Sequence, residues 1–288
     1  MGSNMVARLL EYGHDVVVRD RSHEPIDVAV AQGAIGSESI SDMVEKLETP
    51  RAVFIMVQSQ HVQGVLDELM PLLSAGDTVI DSGNTYFEDT LLRAEAASAQ
   101  GVHYVDIGIS GGVERARTGA TLMVGGSQDI VRRLEPVLCD LAQEHGYGYM
   151  GATGAGHFVK MVHNGIEYGM MQAIGEGLGA IDQYRERFGT DLAQVLKVYN
   201  HGSIVESALM RWTEQAWTED PGLVSIEGSV PKGDTEEEMQ KLTTLARMPA
   251  LEVAVAERVR SRATPSLSAK AISAMRQQFG DHRVIESS

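Results

Sequence analysis

Residues 151–184 read GATGAGHFVKMVHNGIEYGMMQAIGEGLGAIDQY. The stretch shows no strand-like alternation and carries no proline between 154 and 184. Val159, Val162, Ile166, Met170, Ile174, Leu178 and Ile181 recur mainly at steps of three and four, the period of a helix face. The spacing predicts one long helix, from near Gly154 to just before Gly189. Glycines at 165, 169, 175, 177 and 179 each cost about 1 kcal/mol against alanine on an exposed helix. Close packing against another backbone or a ligand would explain why the helix keeps them. Polar residues cluster on one side: Lys160, His163, Asn164, Glu167 and Tyr168 fall within a sector of about 140° at 100° per residue. A solvated face with a Lys–Glu pair two turns apart is one reading. Base, acid and amide on one arc, flanked by apolar residues on both sides, favour a functional face.

Upstream of this helix the texture is different. Residues 3–12 (SNMVARLLEY) have helical spacing and stop at Gly13, and HDVVVRD (14–20) reads as a strand. Helices are expected at 41–47, 61–73, 87–100 and 129–144, and strands at 52–57, 78–81, 103–106 and 121–125. Strands separated by helical segments imply crossovers and an open, doubly wound α/β sheet of Rossmann type. Ligands bind at the carboxyl ends of strands in such sheets. Here those ends carry Asp20 and Arg21, Gln58 and Ser59, Ser82 to Asn84, and Gly108 to Gly112. No complete GxGxxG occurs in the N-terminal region, and Met1-Gly2 reads as the tail of a phosphate-binding turn. The first strand is thus missing from the pattern, and roughly ten further residues are expected upstream to supply it.

Downstream, helices are expected at 191–199, 203–217, 236–246, 249–260 and from 266 or 267 to 279, with a loop over 218–235. On the last helix Ile272, Met275 and Phe279 form the buried stripe, with Lys270 and Arg276 outside it. The reading is therefore a dinucleotide-binding domain over 1–152 and an all-helical domain over 153–288.

The chain has 288 residues, 40 Asp plus Glu and 24 Lys plus Arg, for a formal charge of −16. A nucleic-acid partner is disfavoured, because phosphate neutralisation needs a basic surface. Cys139 is the only cysteine, so neither an intrachain disulfide nor a multi-thiolate metal site can form, and a buried inert thiol is expected. No apolar run reaches membrane-span length and no signal-peptide core opens the chain, so a cytoplasmic protein is expected.

The stretch GATGAGHFVKMVHNGIEYGMMQ closely resembles the substrate-site helix of the decarboxylating 6-phosphogluconate dehydrogenases, short form, within the β-hydroxyacid dehydrogenase superfamily. SNMVARLL, DSGNTYFED (81–89), DIGISGGVERARTGATLMVGG (106–126) and RQQFGDH (276–282) extend the resemblance over almost the whole chain. It implies oxidation and decarboxylation of 6-phospho-D-gluconate to ribulose 5-phosphate and CO2 with reduction of a nicotinamide cofactor and no metal. Lys160 would be the base that takes the C3 hydroxyl proton, which requires desolvation to lower its pKa from about 10.4. Glu167 would protonate C1 of the enediol, and Asn164 would bond the substrate hydroxyl and orient the nicotinamide. Substrate would also meet Asn84, Ser110, Gly111, Gly112 and His163. Its phosphate would meet Tyr168 and Arg258, with Arg276 and His282 reaching in from a neighbouring subunit of a homo-oligomer. Without the resemblance Arg258 reads as a solvated helix residue.

Gly2, Asp20, Arg21, Val57 and Asn84 are the cofactor-binding positions. A carboxylate at Asp20 accepts the ribose 2′-OH of NAD and repels the 2′-phosphate of NADP, so NAD is the expected cofactor and NADP the alternative. One segment departs from the family: a GEGRWT-like or GTGKWT-like stretch is replaced by EGSVPKGDTEEE (227–238), with its basic residue displaced to Lys232. Two rival readings stay open, a non-decarboxylating dehydrogenase of small hydroxy acids and a non-catalytic dinucleotide-binding protein. The first has little use for the phosphate set, and the second has none for a spaced base and acid.

Overall fold

A computed structural model describes residues 1–233, 235–280 and 284–286 of the chain. Two units divide it, Met1–Met161 and Val162–Ser288, and the division falls within one continuous helix.

The first unit runs α1 (Gly2–Glu11), β1 (Val17–Val18), α2 (His23–Ala31), β2 (Ile35–Gly36), α3 (Ile40–Glu45), β3 (Ala52–Ile55) and α4 (Ser59–Leu69). It continues through β4 (Thr78–Asp81), α5 (Phe87–Ser98), β5 (His103–Ser110), α6 (Gly112–Thr118), β6 (Ala120–Gly125), α7 (Gln128–Leu141) and β7 (Ala142–Gly151). Five strands pair in the order β3-β4-β5-β6-β7, all parallel except β5 with β6. The short pair β1–β2 is parallel and forms a separate sheet.

Consecutive residues of the central strands are buried, and the face they pack against alternates with the period of the pleat. Val53, Ile55, Val79 and Tyr104 pack with Val62, Leu66 and Leu69 of α4 and Ala97 of α5. Their strand neighbours Ile80, Val105 and Ile107 pack on the opposite face with Met5 and Leu9 of α1, Ala116 of α6, and Leu134 and Leu138 of α7. The sheet is therefore covered on both sides, as the valine-rich strands imply.

Several local expectations need correction. The helix at 23–31 and the two-residue strand at 35–36 were not anticipated, because HEPIDVAVA lacks a clean stripe and the strand is too short for alternation to register. Residues 142–151 form β7 rather than the end of the preceding helix; the chain turns through His145 at φ 60°. The segment after Gly111 is a helix, α6, and not only a turn. Cys139 is exposed, one step off the buried α7 stripe of Val131, Leu134, Leu138 and Leu141.

Helix α8 (Ala155–Phe188) then runs unbroken for 34 residues. The second unit adds α9 (Leu192–Tyr199), α10 (Ala208–Glu219), α11 (Glu236–Leu245), α12 (Pro249–Ser261) and α13 (Leu267–Gly280). Leu178 of α8, Leu192 and Leu196 of α9, Met210 and Trp217 of α10, and Ala271 and Ala274 of α13 make one core cluster. Gly175 is required where α8 meets α13, because a Cβ there would lie 2.7 Å from the Ser268 carbonyl oxygen.

Asp77, buried just before β4, ties the sheet edge together. Its carboxylate accepts the backbone N–H groups of Arg51 and Ser74 and pairs with the Arg51 guanidinium at 3.0 Å. Burial pushes its pKa up, but these N–H groups and Arg51 outweigh that and hold it below the ordinary carboxylate value. A depressed folded pKa gives stability that is present above the unfolded value of about 3.9 and lost as pH falls through the folded one. Asp77→Asn is expected to cost about 1–3 kcal/mol at neutral pH and to flatten the loss of stability below about pH 4. Urea melts across pH check this; an unchanged acid limb would contradict it.

Candidate active site

The positions expected to bind cofactor stand at the carboxyl ends of parallel strands. Asp20 and Arg21 follow β1 and are exposed, with the Asp20 carboxylate steadied by the Ser22 N–H at 2.9 Å. Val57 follows β3, and Asn84 follows β4. The loops after β3 and β4 touch, since a Cβ on Gly83 would lie 3.2 Å from the Val57 carbonyl oxygen. Asp81, fully buried, holds the second loop by accepting the Gly83 N–H (3.1 Å), the Thr85 hydroxyl (3.3 Å) and the Tyr104 hydroxyl (2.9 Å). Burial, reinforced by that carboxylate, pushes the Tyr104 hydroxyl far above its ordinary pKa, so it remains a donor. Gly2 opens α1, whose N-terminus has no side-chain cap and no acidic residue in its first turn. Open space surrounds Gly2. A carboxylate beyond β1 at Asp20, placed for ribose hydroxyls, fits a dinucleotide.

Ser110 ends β5, Gly111 turns the chain at φ 116°, and Gly112 begins α6. Two residues before Ser110, Gly108 lies directly under Lys160: a Cβ on Gly108 would stand 2.3 Å from the Lys160 Cβ. Helix α8 starts on this floor. The buried Asp106 carboxylate accepts the N–H groups of Gly154 (2.7 Å) and His157 (2.8 Å). The His157 ring bonds the Thr90 hydroxyl of α5 through Nδ1 at 2.8 Å. Lys160 is half-buried.

Further along α8, in the second unit, Asn164 is buried and His163 and Glu167 are half-buried. His163 Nδ1 lies 3.8 Å from Glu167 and 3.4 Å from the Asn164 side-chain oxygen. Tyr168 is buried, and its hydroxyl bonds Thr235 at 2.9 Å. The Arg258 guanidinium lies over the Tyr168 ring, 3.3 Å from the ring centroid. Arg258 is 3% exposed, and its one hydrogen bond among the described residues is to the Met171 sulfur at 3.7 Å. Burial drops its pKa to about 10, with Arg276 adding to the fall and Tyr168 opposing it. Arg276 is 7% exposed and donates to the Pro231 carbonyl at 3.0 Å; burial lowers its pKa too. Neither guanidinium forms an ion pair among the described residues, whereas neighbouring Arg262 pairs with buried Glu236.

Two expectations are thereby corrected. Arg258 is no solvated helix residue, and Arg276 belongs to the buried face of α13, which is broader than its apolar stripe. Within this chain the Arg276 guanidinium lies against Pro231 and Gly233. His282 lies outside the described residues. Lys232 is exposed and pairs with Glu237 at 2.6 Å, so the displaced lysine of the 227–238 segment is spent on a surface contact. Sequence reasoning missed Asp106, Asp81 and Thr235; a lone carboxylate in an apolar strand was the available signal for the first two. Among the described residues no group of His, Cys, Asp or Glu is placed to hold a metal ion, and no helix is long and apolar enough to cross a membrane.

Comparison with known proteins shows the family to which the chain is similar. Residues 1–165 match the NAD binding domain of 6-phosphogluconate dehydrogenase, and residues 156–225 match the 6-phosphogluconate dehydrogenase C-terminal domain. The Bacillus subtilis protein YqeC is 38% identical over 98% of this chain and 95% of its own length. The NAD(+)-dependent, decarboxylating 6-phosphogluconate dehydrogenase of Haloferax volcanii is 38% identical over 99% of this chain and 95% of its own. Plasmodium falciparum 6-phosphogluconate dehydrogenase, solved apo, with NADP+ and with 6-phosphogluconate, shares the fold at TM-score 0.76 and 24% identity. That match covers 91% of this chain and 62% of the Plasmodium chain. The site and fold define an oxidoreductase with a nicotinamide-dinucleotide-binding domain of Rossmann type. The chain belongs to the 6-phosphogluconate dehydrogenase family.

Arg258 and Arg276 have no carboxylate partner among the described residues, and two such buried guanidiniums cost stability until an anion opposes their charge. Inorganic phosphate at ten times its Kd is expected to add about 1.4 kcal/mol to the unfolding free energy. Arg258→Met should abolish that gain while leaving the anion-free protein as stable or more so. Thermal melts with and without phosphate check this; an undiminished phosphate shift in the variant would contradict it.

Proposed function

We propose that the chain converts 6-phospho-D-gluconate to D-ribulose 5-phosphate and CO2 while reducing NAD+, with NADP+ as the poorer acceptor. The observation that carries this reading is the pair Arg258 and Arg276, buried beside Tyr168 with no carboxylate partner among the described residues. Such a pair suits a phosphate dianion. It lies off the same helix that carries Lys160, Asn164 and Glu167.

A bound nicotinamide dinucleotide supplies the hydride acceptor for C3 of the substrate. Gly2, Asp20, Arg21, Val57 and Asn84 would hold it, with Asp20 positioned to accept from ribose hydroxyls. Lys160, as the neutral amine, takes the C3 hydroxyl proton. The resulting ammonium then hydrogen-bonds the C3 oxygen and stabilises the negative charge that develops there as the carboxylate carbon departs as CO2. Glu167, two turns along the helix, gives its proton to C1 of the enediol and forms the ketose. Asn164 bonds the substrate hydroxyl, and His163, Ser110, Gly111 and Gly112 orient the remaining hydroxyls and the carboxylate. Tyr168, Arg258 and Arg276 bind the phosphate. The protein works as a homo-oligomer in which His282 of the partner subunit completes the site.

Initial-rate nicotinamide reduction with 6-phosphogluconate tests this directly. The expected result is turnover with stoichiometric CO2 and a higher kcat/KM for NAD+, which Asp20→Ser moves toward NADP+. Lys160→Ala should lower kcat by about 10²–10⁴-fold. Arg258→Met should raise the substrate KM by about 10–100-fold, with a smaller effect on kcat. Reduction without CO2, or turnover of small unphosphorylated hydroxy acids in preference, would replace this reading with a non-decarboxylating dehydrogenase.

A further inference from the structure

Asp106 is fully buried in the middle of β5 and forms no ion pair among the described residues. An isolated buried carboxylate costs several kcal/mol unless something opposes its charge. Here the opposing charge is the N-terminus of α8, whose first-turn N–H groups at Gly154 and His157 both point at it. Helix N-termini are ordinarily capped by a side chain adjacent in sequence. This cap instead comes from a strand 48 residues upstream of Gly154, so it ties the helix to the sheet and does more than terminate it.

The same strand face carries the rest of the device. Side chains two apart share a face of a strand, so Asp106, Gly108 and Ser110 line one side of β5. Val105, Ile107 and Ile109 pack in the core on the other. Asp106 holds the first turn of α8, and Gly108 leaves the room that the Lys160 Cβ occupies in the second. Gly156 completes the seat: a Cβ there would lie 2.5 Å from the Met123 carbonyl oxygen and 2.6 Å from that of Asp106. Two hydrogen bonds and these backbone approaches fix both the start and the direction of the helix at the point from which Lys160 projects.

We propose that Asp106 is a positioning residue for the reaction: by capping α8 from β5 it sets the reach of Lys160 toward the C3 hydroxyl. The assignment rests on Lys160 being the base. Misplacing a base by about 1 Å costs up to 10²-fold in rate without a matching loss of binding.

The test compares Asp106→Asn, Gly108→Ala and Lys160→Ala by kcat per active site, KM for both substrates, and the deuterium isotope effect on kcat with 3-deuterated 6-phosphogluconate. Asp106→Asn should lower kcat about 10–100-fold, hold both KM values within about threefold, and raise the isotope effect as the C3 step becomes rate-limiting. Gly108→Ala, which keeps the Asp106 carboxylate but crowds Lys160 and the α8 backbone at Gly156, should do the same. A lower melting temperature with unchanged kcat and isotope effect in Asp106→Asn would make the residue purely structural and overturn the proposal. If that variant does not fold, Gly108→Ala decides, and an unchanged kcat there overturns it equally. Lys160→Ala separates the two claims. Turnover retained in that variant removes the base reading itself, whereas a dead Lys160→Ala beside a fully active Asp106→Asn removes only the positioning role.

Discussion

The bonds from Gly154 and His157 to the Asp106 carboxylate fix where α8 leaves the sheet, and the proposed chemistry depends on that point. The first turn of the helix sets the point from which Lys160 projects. The glycines at 108, 125 and 156 are the steric condition for the contact. A Cβ on Gly125 would meet the Asp106 carboxylate at 2.6 Å, and one on Gly108 would overlap Lys160. The arrangement trades helix propensity and side-chain packing for backbone contact at one place, which fits a part whose position matters more than its local stability.

The arginine cluster makes the opposite trade. Arg258 and Arg276 lose hydration on burial, and their lowered pKa values record that penalty. The Tyr168 ring face and the Pro231 carbonyl recover only part of it. Arg262, by contrast, has Glu236 as a full partner, so this part of the fold is able to neutralise a guanidinium where no ligand is needed. Among the described residues Arg258 has no such partner, which is the contrast the proposed phosphate site rests on.

The long helix was legible in the sequence almost to the residue, because a helical period sustained over about nine turns and bounded by glycines leaves no competing reading. The strands of the five-stranded sheet up to β6 were visible for a related reason: burial on both faces makes them compact apolar runs. β1–β2 and β7 were partly or wholly hidden, since two-residue strands carry no alternation and AQEHGYGYMG has the composition of a loop. Arg258 and Arg276 show the limit at the site. Periodicity sorts charged residues to the outside by default, and only the resemblance to a family of phosphosugar enzymes placed them inward. Asp106 was quoted within a motif but given no role, because its partners are backbone N–H groups that a sequence does not display.

The central claim is that one helix supplies both the base for oxidation and the acid that finishes the ketose. A single turnover of 6-phosphogluconate labelled with ¹³C at the carboxylate, run in D2O, tests it most directly. The account predicts one labelled CO2 per nicotinamide reduced and one solvent deuterium at C1 of ribulose 5-phosphate, delivered to a single face. In Glu167→Gln it predicts that the labelled CO2 is still released while the deuterium is scrambled between the two C1 positions. Label retained in an oxidised acid, or stereospecific deuteration that survives in Glu167→Gln, would contradict it.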